Sequence, residues 1–141
     1  MIWVIGEFLL DIFPKYSKPG GAPFNFAYHL TKLGLEVRLI TRVGRDQAGK
    51  ALIEYASGQG LNPSGIQTDE HLPTGKVNVT LDNQGVPEFQ IVPESAYDSI
   101  AYDRLLPGES PVALIYFGTL IQRTGAGHRR LQDFLSSMKG R

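Results

Sequence analysis

Residues 20–25 read Gly-Gly-Ala-Pro-Phe-Asn, and they are the stretch of this sequence best equipped to hold a ligand. Paired glycines, Gly20 and Gly21, let backbone come close to a bound group because neither carries a side chain to push it away. A helix opening just after them would aim its free N–H groups the same way. Asn25 falls in the first turn of that helix, and its amide can both donate to and accept from neighbouring hydroxyls. Asp11 follows the first apolar run, beyond the carboxyl end of a strand, where open α/β sheets bind ligands. Carboxylate, amide and bare backbone N–H together suit a neutral polyol. The same glycines also suit a tight loop, with Asn25 serving only the helix start. The residues by themselves leave the two readings level.

Such groups need elements to hold them. Ile2-Trp3-Val4-Ile5 is a continuous apolar run, the pattern of a strand buried on both faces. Residues 14–23 are rich in breakers and are expected to be loop. From Pro23 a helix is expected, with Phe24, Ala27, Leu30 and Leu33 at helical spacing and Gly34 as its stop. Val37 to Val43 reads as a second strand. Asp46 then caps a helix whose inner face carries Ala48, Leu52, Tyr55 and Ala56.

Beyond residue 75 the period changes. Val77, Val79 and Leu81 alternate with polar residues, 82–85 signal a turn, and Phe89 and Ile91 resume the alternation as inward positions. That predicts an antiparallel hairpin set into an otherwise βα chain. Val112 to Phe117 reads as another fully apolar strand ending at Gly118, followed by a helix with Leu131, Phe134, Leu135 and Met138 on one stripe. Strands ending at Ile5, Val43 and Phe117 predict a small parallel sheet, thin for a complete doubly wound domain. The last helix runs to Arg141 with no strand after it, so 1–141 reads as a single, incomplete domain.

Composition narrows the function classes. Lys plus Arg and Asp plus Glu each number 14, so the chain lacks the basic field that nucleic acid or an anionic membrane requires. No cysteine is present, which excludes thiolate metal sites and a cysteine nucleophile. Sixteen glycines and nine prolines exceed the usual combined share of about 12% and favour many tight turns over a helix bundle. Met1 to Leu10 has no basic start and is broken by Gly6-Glu7, unlike a signal peptide, and no run nears the ~18 apolar residues of a membrane span. A cytoplasmic protein is the expectation.

The segment GGAPFNFAYHLTKLG (20–34) resembles the N-terminal signature of the ribokinase-type (PfkB) sugar kinases. The similarity continues through GEFLLDIFP (6–14), RVGRDQAG (42–49), LPTGKVNVTLDNQG (72–85), ESAYD (94–98) and YFGTLIQR (116–123), in family order. The likeness is greatest to the fructokinase-like branch. It implies a ribokinase-like three-layer α/β/α core, here partial and mostly parallel, with a small antiparallel β lid formed by a hairpin at about 74–98 and a reduced segment at 12–19. Lys15, Tyr16 and Lys18 would make a turn there.

The resemblance also implies roles. Asp11 would bind sugar hydroxyls, Gly20 and Gly21 would approach the sugar, and Asn25 would be its amide ligand. Asp98 and Arg123 would border the sugar or else pack the surface or lid. Asp46 is expected to cap a helix rather than bind, and Tyr28, His29 and His71 are given no chemistry. A complete enzyme would use ATP and Mg2+ to phosphorylate a sugar hydroxyl, fructose giving fructose 6-phosphate as the leading case. The family's later segment, of the form Asp-Thr-x-Gly-Ala-Gly-Asp, holds the catalytic aspartate and an anion hole, and it is absent here. No catalytic or metal residue is therefore expected in this chain, which alone would be inactive without that charge-stabilising cradle. Thr124-Gly125-Ala126-Gly127-His128 imitates the segment but comes too early and reads as an ordinary helix start. Alternatives are an inactive sugar-binding module, or a remnant that self-associates as a dimer or larger assembly through the hairpin or the open edge of strand 112–117.

Overall fold

The computed structural model describes residues 1–103, 105 and 111–138, so the sequence's end at Arg141 lies outside the described residues. Eight strands and three α-helices are described within them. In chain order these are β1 (Ile2–Ile5), β2 (Leu9–Ile12), β3 (Ser17–Gly20), α1 (Ala22–Lys32), β4 (Val37–Gly44), α2 (Gln47–Gly58), β5 (Ile66–Asp69), β6 (Lys76–Leu81), β7 (Pro87–Ile91), β8 (Leu114–Phe117) and α3 (Gly125–Ser137).

Alternation along the strands builds two cores on opposite faces of one parallel sheet, ordered β5-β4-β1-β8. Val4, Leu39 and Val43 face Phe24 and Ala27 of α1 and Leu52 and Ala56 of α2. Trp3, Ile5 and Ile40 face the other way, onto Leu131 and Phe134 of α3 and onto Tyr97 and Ile100. The result is the three-layer α/β/α core that the sequence implies. A second sheet, ordered β3-β2-β6-β7, stands beyond the carboxyl end of β1.

Five expectations need correction. A fourth parallel strand, β5, pairs with β4 from Thr41↔Ile66 to Gly44↔Asp69. Residues 17–20 are not loop but strand β3, antiparallel to β2, and Lys18 lies in it rather than in a turn. The second sheet is mixed, because β2 runs parallel to β6. Phe89 is 65% exposed and Ile91 is also exposed, although both sit opposite the buried Val79 and Val77 in the ladder. The alternation was right, but Leu9 and Tyr97 cover β6 and no described layer covers the edge strand β7. Leu33 and Tyr55 are likewise exposed, Leu33 because it ends α1 rather than continuing its buried stripe.

Candidate sugar site

Strand order decides where a crevice can open. From β1 the chain moves to β4 and then β5 on one side, whereas β8 joins β1 on the other. Order reverses between β1 and β8, and in open α/β sheets ligands bind beyond the carboxyl ends at such a switch point. Gly6 and Glu7 follow β1 there, and Gly118 follows β8, its N–H donating to the Ile5 carbonyl at 2.9 Å. Pro23, in the first turn of α1, fits between them. A Cβ at Gly118 would stand 2.7 Å from its ring, and one at Gly6 would overlap it. Bare backbone at both strand ends is what lets the N-terminus of α1 enter the crevice.

The paired glycines make the bend into that helix. Gly21 has φ +106°, a conformation that L side chains rarely adopt, and any Cβ there would strike the Glu7 carbonyl oxygen. Gly20 closes β3, and a Cβ on it would collide with the Asp11 carboxylate. Asn25 donates its backbone N–H to the Gly21 carbonyl at 2.9 Å and is exposed one turn into the helix. Asp11, Gly20 and Gly21 thus meet at a single bend, to which Asn25 is joined through its backbone N–H. Asp11 lies within β2. Burial pushes its carboxyl above the usual aspartate range, and Lys18, directly opposite in the ladder, offsets part of that rise.

Asp98 and Arg123 find one another. Arg123 donates Nε to Oδ1 at 2.8 Å and Nη2 to Oδ2 at 2.6 Å, a forked pair, and its guanidinium lies 5.0 Å from the Tyr97 ring centroid. Asp98 also accepts the Ser95 N–H at 2.9 Å, and Arg123 donates to the Val92 carbonyl. These bonds tie the loop after β8 to the turn that follows β7. Asp46 caps α2 by accepting the Gly49 N–H at 2.8 Å. It also accepts the Thr74 N–H at 2.9 Å and the Thr74 hydroxyl at 2.6 Å, fastening the start of β6 to the core. Thr124 caps α3 through the Gly127 N–H, and His128 contacts Gln122, which makes the Thr-Gly-Ala-Gly stretch an ordinary helix start.

Glu7 is the residue that sequence reading passed over. It is 5% exposed, and its Oε2 is buried with no hydrogen-bond partner. Burial raises its pKa, while the N–H groups of Glu7 and Ala22 and the charge of Arg123 pull the other way. A glutamate after an apolar run looks like a break, and only the folded chain brings β8 and α1 against it.

Two cavities of about 480 Å³ lie elsewhere, one along α3 at Tyr102 and Arg130, the other at Arg42 and Gln67; no residue of the bend lines either. Among the described residues no group of three His, Asp or Glu could hold a metal ion, and no helix is long and apolar enough to cross a membrane.

A parallel sheet whose strand order reverses between β1 and β8, helices on both of its faces and an adjoining mixed sheet define a three-layer α/β protein. Residues 16–121 match the pfkB family carbohydrate kinase profile, and the chain belongs to that family. It is 30% identical to the sugar kinase PH1459 of Pyrococcus horikoshii over 159 aligned positions, which cover 99% of this chain and 49% of that protein. It is also 30% identical to the fructokinase of Escherichia coli over 102 positions, 69% of this chain and 33% of that one. The crystal structure of PH1459 in complex with ATP superposes with a TM-score of 0.87, covering 99% of this chain and 50% of that chain. The chain therefore spans about half the length of PH1459.

Proposed function

We propose that this chain carries the sugar-binding portion of an ATP-dependent sugar kinase, with fructose, phosphorylated to fructose 6-phosphate, as the favoured substrate. The observation that supports the reading most is the convergence of Asp11, Gly20 and Gly21 at the switch point, with Asn25 one helical turn away. Asp11 accepts from vicinal hydroxyls, Asn25 donates and accepts, and the side-chain-free bend allows the ring to approach. Asp98 and Arg123 act as a rivet beside the site; any contact with the sugar would come second to their contact with each other.

ATP and Mg2+ would serve the complete enzyme, supplying the phosphoryl group and offsetting its charge. The Asp-Thr-x-Gly-Ala-Gly-Asp segment that the resemblance assigns to the donor side is not among these 141 residues. No transfer step is therefore assigned to them. Acting alone, the chain binds sugar and does not turn it over. Calorimetric titration with fructose and with ATP, beside a coupled kinase assay, tests this. Fructose binding without turnover or ATP binding supports it; turnover by these 141 residues refutes it.

A second reading has its own support. Leu81, Val86, Phe89 and Ile91 form an exposed apolar strip on the β6–β7 hairpin, and Leu114 on the edge strand β8 is 50% exposed. Such surface is commonly covered by another chain. A homodimer through the hairpin or the edge follows, in a cytoplasmic setting, with or without sugar in the site.

A further inference from the structure

We propose that Glu7 fills the anion seat at the N-terminus of α1 and so makes the bend refuse phosphorylated or otherwise anionic sugars; the choice among sugars rests on the sugar-binding reading above. A glycine bend running into a helix N-terminus is, in general terms, a phosphate cradle. Here the protein supplies its own carboxylate to that position. A Cβ at Gly21 would stand 3.2 Å from the Glu7 Cγ, and one at Gly118 would stand 2.9 Å from Oε2. The side chain is thus wedged between the bend and the loop after β8, and the Ala22 N–H holds its carboxyl down against the rise that burial causes.

Little offsets that charge. Glu7 forms no ion pair among the described residues, and Arg123, whose field reaches it, is committed to Asp98. Asp11 places a second carboxylate against the other glycine of the bend. An incoming phosphate would meet the carboxyl groups of Glu7 and Asp11 against the two glycines, whereas a hydroxyl meets acceptors. Selection for a neutral ligand follows from this arrangement and not from pocket size.

The test uses the full chain, its Glu7→Gln and Asp11→Asn variants, and two probes, inorganic phosphate and fructose, followed at the Gly21 and Ala22 amides by NMR. Glu7→Gln keeps the shape and removes the charge. It should tighten phosphate binding at those amides about tenfold or more, and by more than Asp11→Asn does. No gain in Glu7→Gln, or an equal gain in Asp11→Asn, overturns the proposal. The fructose arm reads the earlier assignment separately: a chain that ignores fructose while Glu7→Gln gains phosphate refutes the sugar reading alone. If Glu7→Gln does not fold, the wild-type chain is titrated with sulfate at pH 7 and pH 5. Burial raises the pKa of Glu7, so it takes up its proton at a higher pH than an ordinary glutamate; it faces Arg123, with Asp11 and Lys18 across the bend. Sulfate binding at the Ala22 amide should rise on acidification; an unchanged response overturns the proposal.

Discussion

The carboxylate of Asp11 on β2 rests against Gly20 at the end of β3, so closely that residue 20 has no room for a Cβ. Two neighbouring strands therefore fix both the acceptor and the backbone that a sugar would meet. Gly20→Ala should destabilise the fold by about 1–3 kcal/mol through overpacking and abolish fructose binding, read by urea unfolding and calorimetry. Unchanged binding would remove the bend from the site.

Asp11 also has a pH signature. Burial raises its folded pKa above the unfolded one, so its contribution to stability is present at low pH and is lost as pH rises through the folded value. Asp11→Asn should therefore equal or exceed the wild-type chain in thermal stability at neutral pH, with the difference disappearing in acid. Its fructose binding should be lost. In the wild-type chain, binding that needs the ionised carboxylate should fade on acidification at a pH above the ordinary aspartate range.

Asp46 behaves oppositely. Burial pushes its carboxyl up, but the Thr74 hydroxyl and N–H and the Gly49 N–H outweigh that and hold it low. Its contribution is present above the usual aspartate range and is lost as pH falls through the folded value. Asp46→Ala should cost about 1–2 kcal/mol at neutral pH by loss of the cap, and more if the Thr74 anchor fails with it. The gap between variant and wild type should narrow in acid unfolding experiments.

Arg123→Lys keeps the charge but cannot reproduce the fork on Asp98. A loss of about 1.5–3 kcal/mol is expected, as for a hydrogen-bonded charge left under-satisfied. Denaturant melts of Arg123→Lys, Asp98→Asn and the double variant should show strong coupling, and additive losses would dissolve the rivet.

On the hairpin, Phe89→Lys should leave the melting temperature nearly unchanged, since the side chain is exposed. Sedimentation should shift toward monomer. A monomeric wild-type chain at high concentration would instead leave the strip unexplained.

Much of this architecture was legible along the chain because the apolar run at 2–5, and Leu39, Ile40 and Val43 within 37–43, can be buried on both faces of a sheet only as inner strands. The cap at Asp46 and the turn at Asp82, whose carboxylate accepts from Gln84 and Val86, follow from local hydrogen-bonding chemistry. Strand β3 was hidden because Pro19 argues against a strand, yet β3 is an edge, where a missing N–H is tolerated. Strand β5 was hidden because Ile66–Asp69 is short and polar at three of its four positions; Asp69 is stabilised there by Arg42 Nε at 2.8 Å, a partner no local pattern reveals. Glu7 was illegible for the same reason. Its surroundings come from β8 and α1, remote in sequence.

The proposed binding of a neutral sugar at the bend turns on Asp11. Isothermal titration of the full chain with fructose, beside Asp11→Ala, tests it most directly. A saturable heat is expected for the wild-type chain and none for a folded Asp11→Ala. Equal binding by both, or none by either when both are folded, would contradict it.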